Sequence, residues 1–459
     1  MMQSNILIVL AFSLTFLDFG SSYWFFGNRK SALKANRVIR PTQSMTKVLA
    51  ESSITLRADV SNHIDQDSGT IDTAYVDDSL SLDLDTKDSS NVDTANADDD
   101  SRSSRSVGFG ATIVRAIMAS PLYYPIVWQA RRTMVNTAQG SGIDWESKYD
   151  YMREKIGDNE FESRVNLIRK ENEGLNYPDY YLSKFHGYKF GNLCKQSALE
   201  QEIAGKAVGA RNFPQEGKNG EEVLRKSYEK EILYLCGESI LSSQGIDSRD
   251  FVVADFGCGS GTSTRRLAKM IPTANKIIGI DMSPHMLALA RYLNDVGTKK
   301  EEWVEDITPD PRIQFTYSDI TKTEFCDNSV DICSISLVLH ELPERATLEV
   351  IKEAERILKP GGTLLIMEMD PQAPGYISLR KNAALFAILR STEPFLDEYF
   401  DLAPQIPDIL MQSGFGHVQI SAATGRHLVI AAKKVGAVDV RPTSSERQKQ
   451  DFHLGTLQR

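Results

Sequence analysis

From Asp250 onward the apolar positions fall into short continuous runs separated by amphipathic stretches. Phe251–Phe256, Ile277–Asp281, Ile313–Ser318, Val330–Ser336 and Thr363–Met369 are β-branched and apolar, with the length and texture of strands buried on both faces. Between them lie helical stretches. One runs from Ser263 to Met270. A second, opened by Ser283 as N-cap and Pro284 in the first turn, runs to Leu293. In a third, Glu344–Leu358, residues Leu348, Ile351, Ala354 and Ile357 recur at helical spacing. Lys359-Pro360-Gly361-Gly362 predicts a turn into the fifth strand. Val418–Ala422 and His427–Ala432, joined through Thr424-Gly425-Arg426, predict a closing hairpin. Strand and helix alternating in this way predict an α/β, Rossmann-like sheet, mostly parallel with a C-terminal antiparallel hairpin.

Upstream the pattern is different. Residues 107–245 show no strand alternation and predict a helical N-terminal extension, with helices over Ser197–Val208 and Glu221–Leu241. Pro121 and Pro125 break a stretch rich in Ile, Tyr and Trp that ends in Gln129-Ala130-Arg131-Arg132. Such a segment packs on its own domain or, being aromatic and basic together, makes peripheral membrane contact over residues 107–135.

Residues 1–106 lack a core-forming pattern. Ile6–Leu17 is too short to cross about 30 Å of hydrocarbon and has the length of a signal-peptide core, with Gly20, Ser21 and Ser22 as a cleavage region. The basic, Ser/Thr-rich segment after Tyr23 has a transit-peptide composition. Residues 59–100 hold thirteen Asp, no Glu and the single base Lys87, which predicts a disordered linker. The boundaries expected are 1–22 signal-like, 23–58 transit-like, 59–106 linker, 107–245 helical cap, 246–435 sheet domain and 436–459 polar tail. This order predicts bipartite delivery to a plastid, with secretion or membrane anchoring as the alternative.

The chain carries a net charge of −10, and most of it sits in the acidic linker. The mildly acidic body offers no electrostatic footprint for nucleic acid. Its five cysteines are dispersed without a CxxC pair, which predicts neither a disulfide framework nor a metal site.

The candidate chemistry gathers where strands end. Gly257-Cys258-Gly259-Ser260-Gly261 follows the first strand, and glycine there allows close approach of a ligand to the backbone. The spacing is GxGxG, unlike the GxGxxG of dinucleotide binders. Asp255, just before the loop, suits an α-ammonium group better than a pyrophosphate. Asp281 ends the second strand, where a carboxylate accepts both ribose hydroxyls. Gly279 within that strand also points to close approach.

Residues 250–433 resemble the class I S-adenosylmethionine-dependent methyltransferases, in the style of the ubiquinone/menaquinone-biosynthesis group. The resemblance rests on VVADFGCGSG, IIGIDMSPHMLALA, YSDI, Val330-Asp331-Ile332-Cys333 and RILKPGGTLLIMEMD. Tyr180–Ala210 and Glu393–Phe400 also resemble a plastid and cyanobacterial branch. The resemblance implies the cofactor S-adenosyl-L-methionine, with Gly257 and Gly259 bordering its methionine moiety and Asp281 its ribose. It further implies that Met282 packs on adenine, that Asp319 and Ile320 hold the adenine amino edge, and that Gly261 and Ser336 complete the set.

A sulfonium methyl is already activated, so transfer depends mainly on alignment and exclusion of water. A base is needed only for a hydroxyl or carbon acid, and His340 and Glu341, just past strand four, are the candidates. Tyr188 and Tyr376 are candidate substrate or lid residues, the latter before a helix over Ile377–Leu389. The expected partner is a small apolar or aromatic acceptor. A non-catalytic relative of the same fold and a nicotinamide oxidoreductase are the alternatives; GxGxG disfavours the second. Ser336-Leu337-Val338-Leu339 replaces the Asn-Pro-Pro-Tyr run of protein and nucleic-acid methylation.

Overall fold

The computed structural model describes residues 123–237 and 251–436. The expectations for residues 1–122, including the targeting segments, the linker and the part of 107–135 that precedes Tyr123, lie outside them, as does the tail after Gly436. Everything described falls within one compact unit, Arg105–Arg459.

Seven strands form one sheet in the order β3-β2-β1-β4-β5-β7-β6. They are β1 (Val252–Phe256), β2 (Lys276–Asp281), β3 (Ile313–Tyr317), β4 (Val330–Ser336), β5 (Leu358–Met369), β6 (Phe415–Ala422) and β7 (His427–Lys434). All neighbours up to β5 are parallel, and β7 runs antiparallel to both β5 and β6. The expected mixed sheet is therefore present. The turn expected at Lys359–Gly362 instead lies inside β5: Val330 pairs with Leu358 and Ile332 with Thr363. Gly361, at φ +79°, lets those extra residues fold outward as a bulge without breaking the ladder.

Adjacent strand residues point to opposite faces, and both faces are covered. Val253, Ile277, Ile332, Leu365 and Val429 share a core with the N-terminal helices. Ala254, Ile280, Cys333, Leu364 and Ile430 share another with helices after β4 and β5. This explains the unbroken apolar runs: period-2 alternation vanishes when both faces are buried.

The N-terminal helices are α1 (Tyr123–Gly140), α2 (Trp145–Ile156), α3 (Asp158–Glu171), α4 (Lys195–Asn212) and α5 (Gly220–Cys236). Met152, Phe161, Ile168, Leu199, Ile203 and Ile232 are fully or almost fully buried in the first core. The boundary expected at 245/246 thus marks a change of sequence pattern, not of packing. In the sheet half, α6 (Thr262–Met270) follows β1 and α7 (Pro284–Val296) follows β2. Ser283 caps α7 by accepting from the Met286 N–H at 3.1 Å, as its sequence predicts. After β4 comes α8 (Glu344–Ile357), and after β5 come α9 (Pro374–Lys381), α10 (Ala383–Thr392), α11 (Leu396–Leu402) and α12 (Ile406–Gln412). The single helix expected over 377–389 is two, broken at Asn382.

Candidate active site

The strand order reverses between β1 and β4, and ligand crevices of open α/β sheets form at the carboxyl ends of strands at such a switch. The glycine loop leaves β1 there. Gly257, Gly259 and Gly261 all have positive φ (+68°, +53° and +88°), which the missing Cβ permits. The loop and Asp281 are one unit: Asp281 accepts from the Gly259 N–H at 2.8 Å and from the Ser283 N–H at 2.8 Å. Burial raises the Asp281 pKa, against the pull of those N–H donors. The end of β2 and the loop one to five residues past β1 are thereby fastened by a carboxylate with lone pairs to spare.

Asp255 is wholly buried. One oxygen accepts from the hydroxyls of Ser263 (2.6 Å) and Thr264 (2.7 Å), while the other has no hydrogen-bond partner. Burial, outweighing the two hydroxyls, pushes its pKa up to about 6. Tyr228, Arg225, Ser263 and Ser334 line a small cleft beside it. Unpaired buried acceptors are expensive, and a cationic amine would satisfy them. These residues fit a ligand with an amine at one end and a ribose at the other.

Four cap residues that sequence reasoning passed over reach the same place. Gln201 accepts from the Ser260 N–H at 2.6 Å, and a Cβ at Gly259 would stand 2.3 Å from its amide nitrogen. Glu202, buried, accepts from Ser260 Oγ (3.1 Å), Arg265 (2.6 Å) and the indole of Trp303 (2.9 Å). Tyr181 lies over Asp281, donating at 3.4 Å, and stacks on Tyr177. Arg225 donates to Ser336 Oγ at 3.3 Å. Nothing in their local pattern marks them, because their role comes from α4, α5 and the turn segment before α4 being laid across the loop.

The other expected cofactor residues sit around the β2 and β3 ends. Met282 is buried, and Asp319 accepts from the Thr321 N–H at 2.8 Å, with Ile320 packed against the second core.

Beyond β4 the chain turns sharply. Leu337 has φ +58°, and the Val338 side chain lies against Gly257, where an added Cβ would meet it at 2.7 Å. His340 and Glu341 follow in a single tight turn, closed by the Glu341 N–H donating to Val338 O at 2.9 Å. They have different surroundings. His340 is buried, with Nδ1 2.9 and 3.0 Å from the two oxygens of the fully buried Glu368. Burial opposes charge on the ring, but Glu368 outweighs it and pushes His340 up to about 10. Glu341 is partly buried, and burial, outweighing His186 and His340, pushes it up to about 7.

Tyr188 and Tyr376 hold other parts in place. Tyr188 Oη donates to Glu200 at 2.6 Å, and Glu200 is also paired with Arg131. Tyr376 is buried, edge-on to Phe400 and beneath the Arg426 guanidinium.

Among the described residues, no helix is long and apolar enough to cross a membrane, and no group of three His, Cys, Asp or Glu could hold a metal ion.

Comparison with known proteins gives one consistent result. A family model described as a methyltransferase domain matches residues 253–362. A demethylmenaquinone methyltransferase of Staphylococcus aureus is 32% identical over 202 residues, covering 44% of this chain and 73% of that protein. One of Lactobacillus johnsonii is 30% identical over 191 residues, covering 38% of this chain and 72% of that protein. Among solved structures, Haemonchus contortus phosphoethanolamine N-methyltransferase 2 in complex with S-adenosyl-L-methionine is 17% identical at a TM-score of 0.31. That match covers 49% of this chain and 60% of that one, so less than two thirds of its length is spanned.

Proposed function

Since this chain belongs to the class I S-adenosylmethionine-dependent methyltransferases, we propose that it methylates a small apolar or aromatic acceptor, of the quinol type, held between the cap and the loops after β4 and β5. The observation that carries the reading is the bond between Asp281 and the Gly259 N–H at the switch point of the sheet. It joins the residue suited to ribose and the loop suited to close backbone approach into a single preorganised surface. The demethylmenaquinone methyltransferases among its relatives support the acceptor class.

When bound, S-adenosylmethionine supplies a methyl group activated by a sulfonium. Asp281 would hold the ribose hydroxyls, Asp255 the amine, and Met282, Asp319 and Ile320 the adenine. Gln201 and Tyr181 close the crevice from the cap and keep water away from the transfer. Ser336, held by Arg225, borders the same opening.

The test uses the full chain, tritiated S-adenosylmethionine and dithionite-reduced 1,4-naphthoquinones with and without a prenyl substituent. Labelled, extractable naphthoquinol is the expected product. No label in any of these quinols overturns the acceptor class. In the same preparation Asp281→Ala weakens cofactor binding by about 2–4 kcal/mol, the worth of hydrogen bonds to a charged group. Calorimetry showing wild-type affinity in a folded variant would remove Asp281 from the site.

A further inference from the structure

The cap contributes a group to this site that neither the glycine loop nor the strand ends supply. Phe185 and Tyr188 pair across a tight turn, with the Tyr188 N–H donating to Phe185 O at 2.8 Å. The two central residues, His186 (φ +50°) and Gly187 (φ +87°), are both left-handed, the pattern of a type I′ turn. Gly187 meets that demand freely; His186 does so under strain, which is how a fold over-determines a residue it needs in one place. The turn is pinned from outside. The His186 N–H donates to Thr392 O at 3.1 Å, and Tyr188 is tied to Glu200.

So held, His186 Nε2 lies 3.0 Å from Glu393 Oε1 and 3.8 Å from Glu341 Oε1. Glu393, at the end of α10, is 7% exposed, and its second oxygen has no hydrogen-bond partner. A buried carboxylate oxygen left unpaired is a group with room for a hydrogen-bond donor. Glu341 is one tight turn beyond Val338, whose side chain covers Gly257, so it stands at the edge of the cofactor loop.

Resting on the methyltransferase reading above, we propose that Glu341 is the general base that takes the acceptor's proton, and that His186 with Glu393 positions it and holds its charge. The proton leaves the acceptor's oxygen or carbon for a Glu341 oxygen. The electron pair left behind forms the new bond to the methyl carbon, and the pair of the broken carbon–sulfur bond stays on sulfur. A cation and a carboxylate become a neutral thioether and a neutral acid. Charge disappears in the step, so the partly buried setting favours it. His340 cannot serve in this way. Bound to Glu368 it already carries its proton, and an imidazolium accepts none. Glu341, balanced near neutrality, has both states within reach.

The charged and titratable groups around Glu341 are His186 and Glu393 from the cap side and α10, His340 on its own turn, and Asp281 and Tyr181 across the crevice. The two carboxylates raise its pKa and the two histidines lower it. Against the cost of partial burial, Glu393 and Glu341 raise the pKa of His186 in return. Removing the His186 charge must therefore move Glu341 upward.

The test has an arm that needs no acceptor. Infrared difference spectra of the full chain between pH 5 and 9 should show, beside the Asp255 carboxyl near 6, a second carboxyl titrating near pH 7. It should be missing in Glu341→Gln and shifted upward by roughly one unit in His186→Gln. The second arm uses the reduced naphthoquinones. The kcat/KM of the wild type should rise with pH through about 7. Glu341→Gln should lower the plateau ~10²-fold or more, with partial rescue by Glu341→Asp. His186→Gln should shift the rising limb upward while leaving much of the plateau. No second carboxyl titrating near neutrality, an unmoved titration in His186→Gln, or full turnover in Glu341→Gln overturns the proposal. A correct infrared titration without turnover of any quinol overturns the acceptor class and leaves the base assignment standing.

Discussion

His340 shows how burial reassigns a residue whose chemistry looks obvious. As a histidine past a strand end it is a candidate base, but paired with Glu368 at zero exposure it is half of an internal ion pair. Its folded pKa, about 10, lies above its ordinary 6.5, so the pair's stabilisation is complete below about pH 6.5 and is lost as pH rises through about 10. His340→Ala should cost about 3–5 kcal/mol in urea unfolding at pH 7, because Glu368 is left buried without its counter-charge. The variant should also lose the decline in stability that the wild type shows between neutral and alkaline pH. Loss of turnover with unchanged stability would instead return His340 to the chemistry. Asp255 runs the other way. Its folded pKa of about 6 exceeds its ordinary 3.8, so its cost to the fold is absent below 3.8 and complete above 6. Asp255→Asn should therefore gain of the order of 1–3 kcal/mol at pH 7 while weakening cofactor binding. Equal stability with tighter binding would contradict both halves of that assignment.

At the scale of elements, the crossing of α4 and α5 decides whether the cap reaches the site. Gly209 and Gly220 meet where the helices touch. A Cβ on Gly209 would lie 2.2 Å from the Glu221 nitrogen, and one on Gly220 would lie 2.3 Å from Gly209 O. Glu221 then pairs with Lys206 (2.7 Å) and Arg225 (2.8 Å), and Arg225 extends to Ser336. Gly209→Ala meets backbone, which cannot rotate away, and should cost about 1–3 kcal/mol or more. Because the displaced helix carries Arg225, cofactor affinity should fall in the same variant. Measured calorimetrically, a stable Gly209→Ala protein with unchanged affinity would show that the crossing does not set the site. The short elements after β5 matter for a similar reason: α10 ends where it offers Thr392 O to His186 and Glu393 to its ring.

For the whole molecule, the core shared by cap and sheet predicts that the two unfold as one cooperative unit. Among the described residues, one face of the sheet is covered by α6, α7, the N-terminal helices and Trp303, Val304 and Ile307, all in a single core. Glu202 also bolts α4 to Arg265 and Trp303 in the sheet half. A fragment of residues 251–436 should expose that face and show near-native far-ultraviolet but weak near-ultraviolet circular dichroism. Cooperative unfolding of the isolated fragment would make the cap an accessory. Delivery belongs to this scale too. A fluorescent fusion of residues 1–60 is expected to enter a plastid, on the strength of the Ile6–Leu17 run followed by the basic segment. Uniform cytosolic or wholly secreted fluorescence would refute the bipartite route.

Local pattern alone determined the strands, the order of helix and strand, the closing hairpin and the residues of the glycine loop with Asp255 and Asp281. Each is written in a few neighbouring residues: apolar runs dictate buried strands, and glycine at a strand end dictates backbone that a ligand can approach. The roles of His340, Glu341, His186, Glu393, Gln201 and Tyr181 were decided only by tertiary structure. His340 and Glu341 are adjacent in sequence, yet one faces a buried carboxylate from β5 and the other a histidine brought in by the cap. Which groups surround a titratable side chain depends on contacts between residues far apart in the chain, and those contacts, not residue type, set its charge.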